Sequence, residues 1–381
     1  MDFNLTDEQL ELQNLTRQFA ANEIRPFAAE YDEKNEFPHD VMKKAWEIGF
    51  LTSGIPVEYG GTGFSNLDNV VVCEELAWGC AGMYTSIMAN TLATTPIVLF
   101  GTEEQKEKFL PPLTREVSYA CFGLTEREAG SDNSMIKTTA VNKGDHYILN
   151  GSKTFITNAG VSSVGVIFAS TDPTRGARGL SAFIVPMDLP GVTVGKHENK
   201  MGHRASNTAE IYLDEVKVPT ENLLRREGFG FIIAMKTLDY ARPAVGAGGI
   251  GVARAAYEEA LKYTQERVQF GKPIAHFQYN SFKLAEMATD IDAARLLVYR
   301  SAWMLDSQKK ASKESAMAKV VATDVAMKVT TDAVQLFGGY GYMKEYPVEK
   351  MMRDAKLLQI YEGTNEIQKH VISLEILGSM K

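Results

Sequence analysis

Tyr147-Ile148-Leu149-Asn150-Gly151-Ser152-Lys153-Thr154-Phe155-Ile156-Thr157 reads as two short β-strands about a turn. The pair Asn150-Gly151 between apolar, β-branched and aromatic residues is the strongest short hairpin signal in the chain. Outward from it, Thr138 to Val141 precedes Lys143-Gly144-Asp145, and Val164 to Ala169, Leu180 to Val185, Val192 to Gly195 and Ala209 to Val216 follow at turn-punctuated spacing. Residues 121–225 are therefore expected to form an antiparallel β-domain, a small barrel or sandwich.

Both flanks read as helix. In residues 1–120, Leu5-Thr6-Asp7-Glu8-Gln9 is a capping-box start, and Leu12, Leu15 and Phe19 form an apolar stripe that Arg25-Pro26 interrupts. Shorter helices are expected over Val41 to Ile48, Val70 to Trp78, Ser86 to Leu99 and Glu103 to Leu110. In residues 226–381 the stripes are longer: Val252, Ala256, Ala260; Leu284, Met287, Ile291, Ala294, Val298; and Met317, Val321, Val325, Val329. With a last helix carrying Ile367, Val371, Leu374 and Leu377, these predict a four-helix bundle. The fold class is α+β, mainly α: helices, then sheet, then bundle.

Composition narrows the function. The 381 residues exceed one ordinary core, and 45% hydrophobic with 23% charged residues is a globular balance. A net charge of -8 without any basic run argues against a nucleic-acid partner. Three scattered cysteines and six dispersed histidines support neither a disulfide framework nor a metal site, and suggest a reducing compartment. Without a signal peptide or an 18-residue apolar run, the expectation is a cytoplasmic protein with no membrane span.

Several stretches have two readings. Glu362 stands before Gly363 and the N-cap Thr364, where a carboxylate either complements the helix dipole or, kept ionised by it, serves as a base. Thr125 to Asp132 is either an interdomain loop or a set of N–H and hydroxyl donors for an anionic or heterocyclic ligand. Gln335 to Tyr342 either admits a cofactor or ends a helix. Arg242 and Arg267 need an internal carboxylate or a ligand anion. Gly246 to Gly251 satisfies G-x-G-x-x-G, but no strand precedes it and no βαβ unit surrounds it, so close helix packing is the better account.

In order, Leu124-Thr125-Glu126 to Gly130-Ser131-Asp132, Asn150-Gly151-Ser152-Lys153 to Thr157-Asn158, Lys200 to Arg204, Arg267 to Pro273, Gln335 to Gly339, and Met352 to Lys356 running into Tyr361-Glu362-Gly363-Thr364 resemble the acyl-CoA dehydrogenase family of flavoproteins, from Leu5 to the end of the chain. The resemblance implies an N-terminal α-helical domain, a middle β-domain, a C-terminal four-helix bundle and a homotetramer. It also implies FAD between sheet and bundle. Phe122, Leu124, Thr125, Gly130 and Ser131 would meet the flavin, and Phe155, Ile156 and Thr157 would cover its far face. Arg267, Gln269, Phe270, Phe277 and Gln278, with Gln335, Gly338 and Gly339, would hold the rest of FAD across a subunit interface, and Thr364 and Glu366 match further cofactor contacts.

By the same resemblance Glu362 is the base that takes the Cα proton while a hydride leaves Cβ for flavin N5, and Ser131, Asp239, Tyr240, Arg242, Gly363, Met88 and Thr91 contact the acyl-CoA or support its site. The backbone N–H of Glu362 and a ribityl hydroxyl of FAD would stabilise charge on the thioester oxygen. Ala241 occupies the alternative base location and cannot serve. No basic residue lies between Cys80 and Lys106, so a neutral acyl group is expected, straight, branched or alicyclic; Tyr240 could shorten its pocket. Electrons would pass to an electron-transfer flavoprotein. An oxidase or enoyl-CoA reductase on the same scaffold, or a non-catalytic acyl-CoA-binding protein, are the alternatives.

Overall fold

The computed structural model describes residues 4–378. Its N-terminal part is helical: α1 Asp7–Phe19, α2 Ala28–Lys34, α3 His39–Ile48, α4 Asn66–Gly79, α5 Ala81–Phe100, α6 Glu103–Phe109 and α7 Pro111–Arg115. Capping boxes start α1 at Thr6, α4 at Ser65 and α6 at Thr102, each satisfying N–H groups that a helix start leaves open. The helices α4 and α5 are buried around most of their circumference; α5 packs against both the sheet and the C-terminal helices, and α4 against helices on its sides.

The middle of the chain is a seven-stranded sheet: β1 Tyr119–Gly123, β2 Thr139–Asn142, β3 His146–Thr157, β4 Ser162–Ser170, β5 Leu180–Pro186, β6 Val192–Val194 and β7 Thr208–Pro219. The strand order is β1-β4-β2-β3-β7-β6, with β5 on the other side of β4. The long pairings β3 on β7 and β4 on β5 are antiparallel, as expected, while β1 lies parallel to β4.

One expectation fails here. Asn150-Gly151 is no hairpin turn; it lies inside the single strand β3. Its turn chemistry makes a bulge instead, where the register against β7 shifts between Leu149 and Gly151. The Asn150 side chain accepts from the Glu215 N–H (2.7 Å), and Gly151 takes φ +150° with Thr138 Oγ1 2.5 Å from where a Cβ would stand. A second shift between Lys153 and Ile156 turns Phe155 out of the sheet at φ +59°.

The C-terminal part contains α8 Gly230–Glu266, the two-stranded β8 Val268–Gln269 and β9 Lys272–Pro273, then α9 Gln278–Asp306, α10 Ser312–Phe337, α11 Val348–Leu358 and α12 Asn365–Leu377. The fourth position of the bundle is thus shared by α11 and α12, broken at the turn that carries Glu362. The glycine run 246–251 lies in mid α8. A Cβ on Gly251 would stand 2.2 Å from the Glu74 carbonyl of α4, and one on Gly248 2.6 Å from the Tyr84 ring of α5. Close helix packing is what those glycines permit.

The buried face of α10 differs in phase from the expected stripe. Ser315, Lys319, Ala322, Ala326, Val329 and Ala333 are buried, whereas Met317, Val321 and Val325 are only partly covered. Small side chains let α8 and α10 approach closely, and that outweighs the larger apolar set.

Candidate active site

Between α11 and α12 the chain passes through two successive left-handed residues, Glu362 at φ +52° and Gly363 at φ +93°. A non-glycine residue in that region costs on the order of 1–3 kcal/mol and persists only where its surroundings enforce it. Gln368 Nε2 donates to the carbonyls of Glu362 (3.2 Å) and Gly363 (3.0 Å), and buried Lys319 Nζ donates to the Gly363 carbonyl (2.9 Å) and Asn365 Oδ1 (2.8 Å). Thr364 closes the turn by accepting from the Ile367 N–H (3.3 Å).

Glu362 Oε2 is covered and has no hydrogen-bond partner. Burial pushes the carboxyl up to about 7, against the pull of the Lys319 and Arg242 cations. Its place ahead of the N-cap Thr364 predicts an ionised form favoured by the helix dipole. Desolvation wins, because the dipole acts over one turn whereas Glu362 Oε2 is covered with no partner to replace its water.

Two cavities meet at this carboxylate, sharing Tyr84, Met88, Leu92 and Glu362 in their walls. The larger, of about 800 Å³, is lined by Phe122, Leu124 and Thr125 at the end of β1, by Gly130 and Ser131 in the loop beyond, and by Phe155, Ile156 and Thr157 of β3. Arg242, Gly363 and Thr364 face it from the bundle. The smaller, of about 180 Å³, is lined by Met88, Thr91, Tyr240 and Ala241 among others, and Glu362 is the sole charged residue in its wall. Phe155, 69% exposed and held in the left-handed region, offers an uncovered aromatic face beside the polar edge of Thr125, Ser131 and Thr157. That combination fits a planar heterocycle with one polar edge, as a flavin is.

Buried charges hold the loop after β1. Lys153 Nζ donates to Glu126 Oε1 (2.7 Å) and to the Leu124 carbonyl (3.2 Å), while Glu126 also accepts from the N–H groups of Lys137 (2.7 Å) and Thr138 (3.1 Å). Burial lowers Lys153 to about 8 despite the Glu126 charge. Arg242 finds the internal carboxylate that its burial demanded: its Nη1 meets Asp239 Oδ1 at 2.6 Å, and Asp239 Oδ2 accepts from Ser312 (2.5 Å). Asp239 thus acts through Arg242 and does not line either cavity.

A second group stays apart from the cavities. Arg267, Gln269, Phe270 and Gln278 are exposed and Phe277 is half-buried, around the β8–β9 turn; Gln335, Gly338 and Gly339 are exposed at the end of α10. Phe270 is 94% exposed at φ +50°, and the Arg267 guanidinium lies 5.6 Å from the Tyr340 ring centre, joining the two segments. Glu366 points to solvent on the first turn of α12, where backbone N–H groups hold its carboxyl below the usual range.

Lys319, Asn365 and Gln368 were not singled out by sequence. The signal was present: a lysine inside the small-residue face of α10. The motifs around His203 and Asp354 proved to be interdomain ties. His203 lies between Thr85 Oγ1 (3.0 Å) and the Asp354 carbonyl (3.0 Å), its N–H donates to Asp354 Oδ1 (2.6 Å), and Arg353 reaches Asp32 (2.8 Å) and the Met201 carbonyl (2.9 Å).

Comparison with known proteins covers nearly the whole chain. Residues 6–116, 121–216 and 228–377 match the N-terminal, middle and C-terminal domains of acyl-CoA dehydrogenase. The chain is 47% identical to the short-chain-specific acyl-CoA dehydrogenase of Clostridium acetobutylicum, over 99% of this chain and 100% of that one. It is also 47% identical to the NADH-dependent acryloyl-CoA reductase of Anaerotignum propionicum, over 99% and 96% of the two chains. Among solved structures, it superposes with a TM-score of 0.97, at 47% identity and full coverage of both chains, on a chain in a structure described as the electron-transferring flavoprotein of Acidaminococcus fermentans.

Proposed function

The chain belongs to the acyl-CoA dehydrogenase family of FAD-dependent enzymes, and from that premise we propose that it oxidises a compact, neutral acyl-CoA thioester to the 2-enoyl-CoA with Glu362 as base. The observation that carries this reading is the position of Glu362: an unpartnered, covered carboxylate oxygen where the two cavities meet. A substrate lying through that junction would put its Cα–H against the carboxylate and its acyl group in the smaller, neutral cavity.

The chain's own groups then have separate tasks. Glu362 takes the Cα proton, and its burial brings its basicity near neutrality, where general-base catalysis is most effective. The strained turn fixes the carboxylate's position before substrate arrives, so less ordering remains to be done in the transition state. Apolar walls at Phe122, Leu238 and Met88 exclude water, which strengthens every charge interaction inside. FAD, when bound, accepts the electron pair that leaves with the Cβ hydrogen. Phe122, Leu124, Thr125, Gly130, Ser131, Phe155, Ile156, Thr157 and Thr364 are assigned to it from the larger cavity. The exposed Arg267, Gln269, Phe270, Phe277, Gln278, Gln335, Gly338 and Gly339 and the outward Glu366 are assigned to its remainder across an interface between copies in a homotetramer.

Within this reading residues 1–120, 121–225 and 226–381 are the three domains, and the electron acceptor is an electron-transfer flavoprotein in the cytoplasm. The TM-score of 0.97 to a chain in the Acidaminococcus structure supports that acceptor. Among the described residues no helix is long and apolar enough to cross a membrane.

A second reading is favoured by the acryloyl-CoA reductase relative. The same site run backwards reduces a 2-enoyl-CoA, and a carboxyl near 7 is half protonated at neutral pH, equally placed to give a proton to Cα as to take one. Anaerobic mixing of the yellow holoenzyme with a panel of straight, branched and cyclic acyl-CoAs tests both. Bleaching by a short saturated thioester is expected; reoxidation of dithionite-reduced enzyme by enoyl-CoA far faster than the forward step marks the reductase. No bleaching across the panel, with no reoxidation, sinks both.

A further inference from the structure

We propose that Lys319 is a positioning residue for this reaction: its ammonium ties the Gly363–Asn365 turn to α10 and holds Glu362 at the cavity junction as a charged base. The inference rests on the reading of Glu362 given above. Lys319 lies about two turns into α10 with no solvent exposure. A lysine is among the costliest side chains to bury, and one kept charged in the interior needs compensation. Its two acceptors, the Gly363 carbonyl at 2.9 Å and Asn365 Oδ1 at 2.8 Å, are both neutral. Its charge is therefore not cancelled on contact, unlike that of Arg242, which is paired with Asp239 at 2.6 Å.

The surroundings show where that charge acts. Glu362 is faced by Lys319 from α10, by Arg242 from α8, by the neutral Cys73 thiol of α4 and by the neutral phenol of Tyr84 on α5, with Tyr361 beside it on its own turn. Burial pulls Lys319 down to about 8, still above neutrality, with Arg242 adding to that pull and the carboxylates of Glu362, Asp324 and Glu366 opposing it. Asp324 is occupied by the amides of Asn365 (2.7 Å) and Gln359 (2.6 Å). Thr323 Oγ1 also meets the Asn365 side chain, at 3.0 Å from its Nδ2. One face of α10 thus clasps both ends of the catalytic turn, and on that face Lys319 brings the positive charge, while the second cation near Glu362, Arg242 of α8, is paired with Asp239.

A clamp without electrostatic consequence and a clamp that sets the charge of the base differ in pH behaviour. In the holoenzyme, Lys319→Met is expected to move the acid limb of anaerobic flavin reduction by butyryl-CoA upward by about one pH unit, so that reduction is roughly 5-fold slower at pH 7 and near the wild-type rate at pH 9. Lys319→Arg is expected to return the limb toward the wild-type position. Gln368→Leu, which removes neutral donors from the same carbonyls, is expected to slow reduction at all pH without moving the limb. If Lys319→Met fails to retain FAD, Lys319→Gln carries the same expected shift. An acid limb unchanged in the neutral variants overturns the proposal, whatever the loss of rate.

A readout without turnover separates this from the function itself. The carboxylic-acid infrared band that disappears in Glu362→Gln titrates with Glu362 alone, and its midpoint should rise in Lys319→Met. Were no thioester to bleach the wild-type flavin, the assignment of substrate would fall, while the infrared midpoint would still decide for or against Lys319.

Discussion

At the scale of single residues, Glu362 shows why position in sequence is a poor guide to acidity. Its place ahead of the N-cap Thr364 argues for an easily ionised carboxylate, and Glu366, one turn on and in water, behaves that way. Glu362 itself is pushed up to about 7 because water is removed from it. Two outcomes follow from the sign of that shift. Flavin reduction should be low in acid and rise through about pH 7 as the base ionises, which stopped-flow bleaching across pH 5–9 reads directly. In the folded state the carboxyl holds its proton to a higher pH than in the unfolded state, so between the model-peptide carboxylate range and about 7 stability falls as pH rises. Glu362→Gln should therefore melt at a higher temperature than wild type above pH 7, and the gap should close in acid. The same variant should keep FAD and bind thioester yet reduce flavin about 10²–10⁴-fold more slowly, the usual worth of a positioned general base. Unchanged reduction would mean that another group takes the proton.

At the scale of elements, the strand β3 and the helix α8 each carry a pattern that local rules misname. Asn150-Gly151 has hairpin chemistry, but the strand continues because β7 offers a partner along its whole length. What the sequence announced was a departure from regular pleating, and two bulges are what the sheet made of it. The second aims Phe155 into the larger cavity. In α8 the run 246–251 imitates a dinucleotide loop, yet its glycines are where α4, α5 and α10 come closest. Gly251→Ala would push a methyl into the Glu74 carbonyl and should cost about 1–3 kcal/mol in chemical denaturation, the range for overpacked cores. An effect near zero would show that α4 can yield there. The buried face of α10 was misread in phase because large apolar residues outrank alanine in any hydrophobicity pattern, whereas the neighbouring α8 selects for small side chains.

At the scale of the whole molecule, the three layers are joined by polar ties and the site lies where they meet. Asp32 of α2, Met201 in the β6–β7 connection and Arg353 of α11 form one such tie; Thr85, His203 and Asp354 form another, directly behind Tyr361, whose ring centre is 6.0 Å from that of His203. The residues at Arg267–Phe270 and Gln335–Gly339 belong to a different part of the surface. Phe270, almost wholly in solvent and held at positive φ, is costly in an isolated chain and reasonable at an interface. Phe270→Asp is expected to lower FAD retention and the tetramer fraction together, read by flavin-to-protein ratio and light scattering. A variant that remains a fully loaded tetramer would remove this patch from the cofactor site.

By itself the sequence determined the order of helices, sheet and bundle, because hydrophobic period and turn residues act over a few neighbours. It also placed Glu362 just ahead of the last helix, whereas the helix before it, α11, came only from the structure. Ordered motifs far apart in the chain carried the family. The tertiary structure alone decided the charge balance of that turn: Lys319 stands 44 residues before Gly363, whose carbonyl it holds, and nothing local relates them. Burial, the matching of α8 to α10, and the meeting of two cavities at one carboxylate are properties of packed surfaces. They arise only when distant segments exclude water from one another.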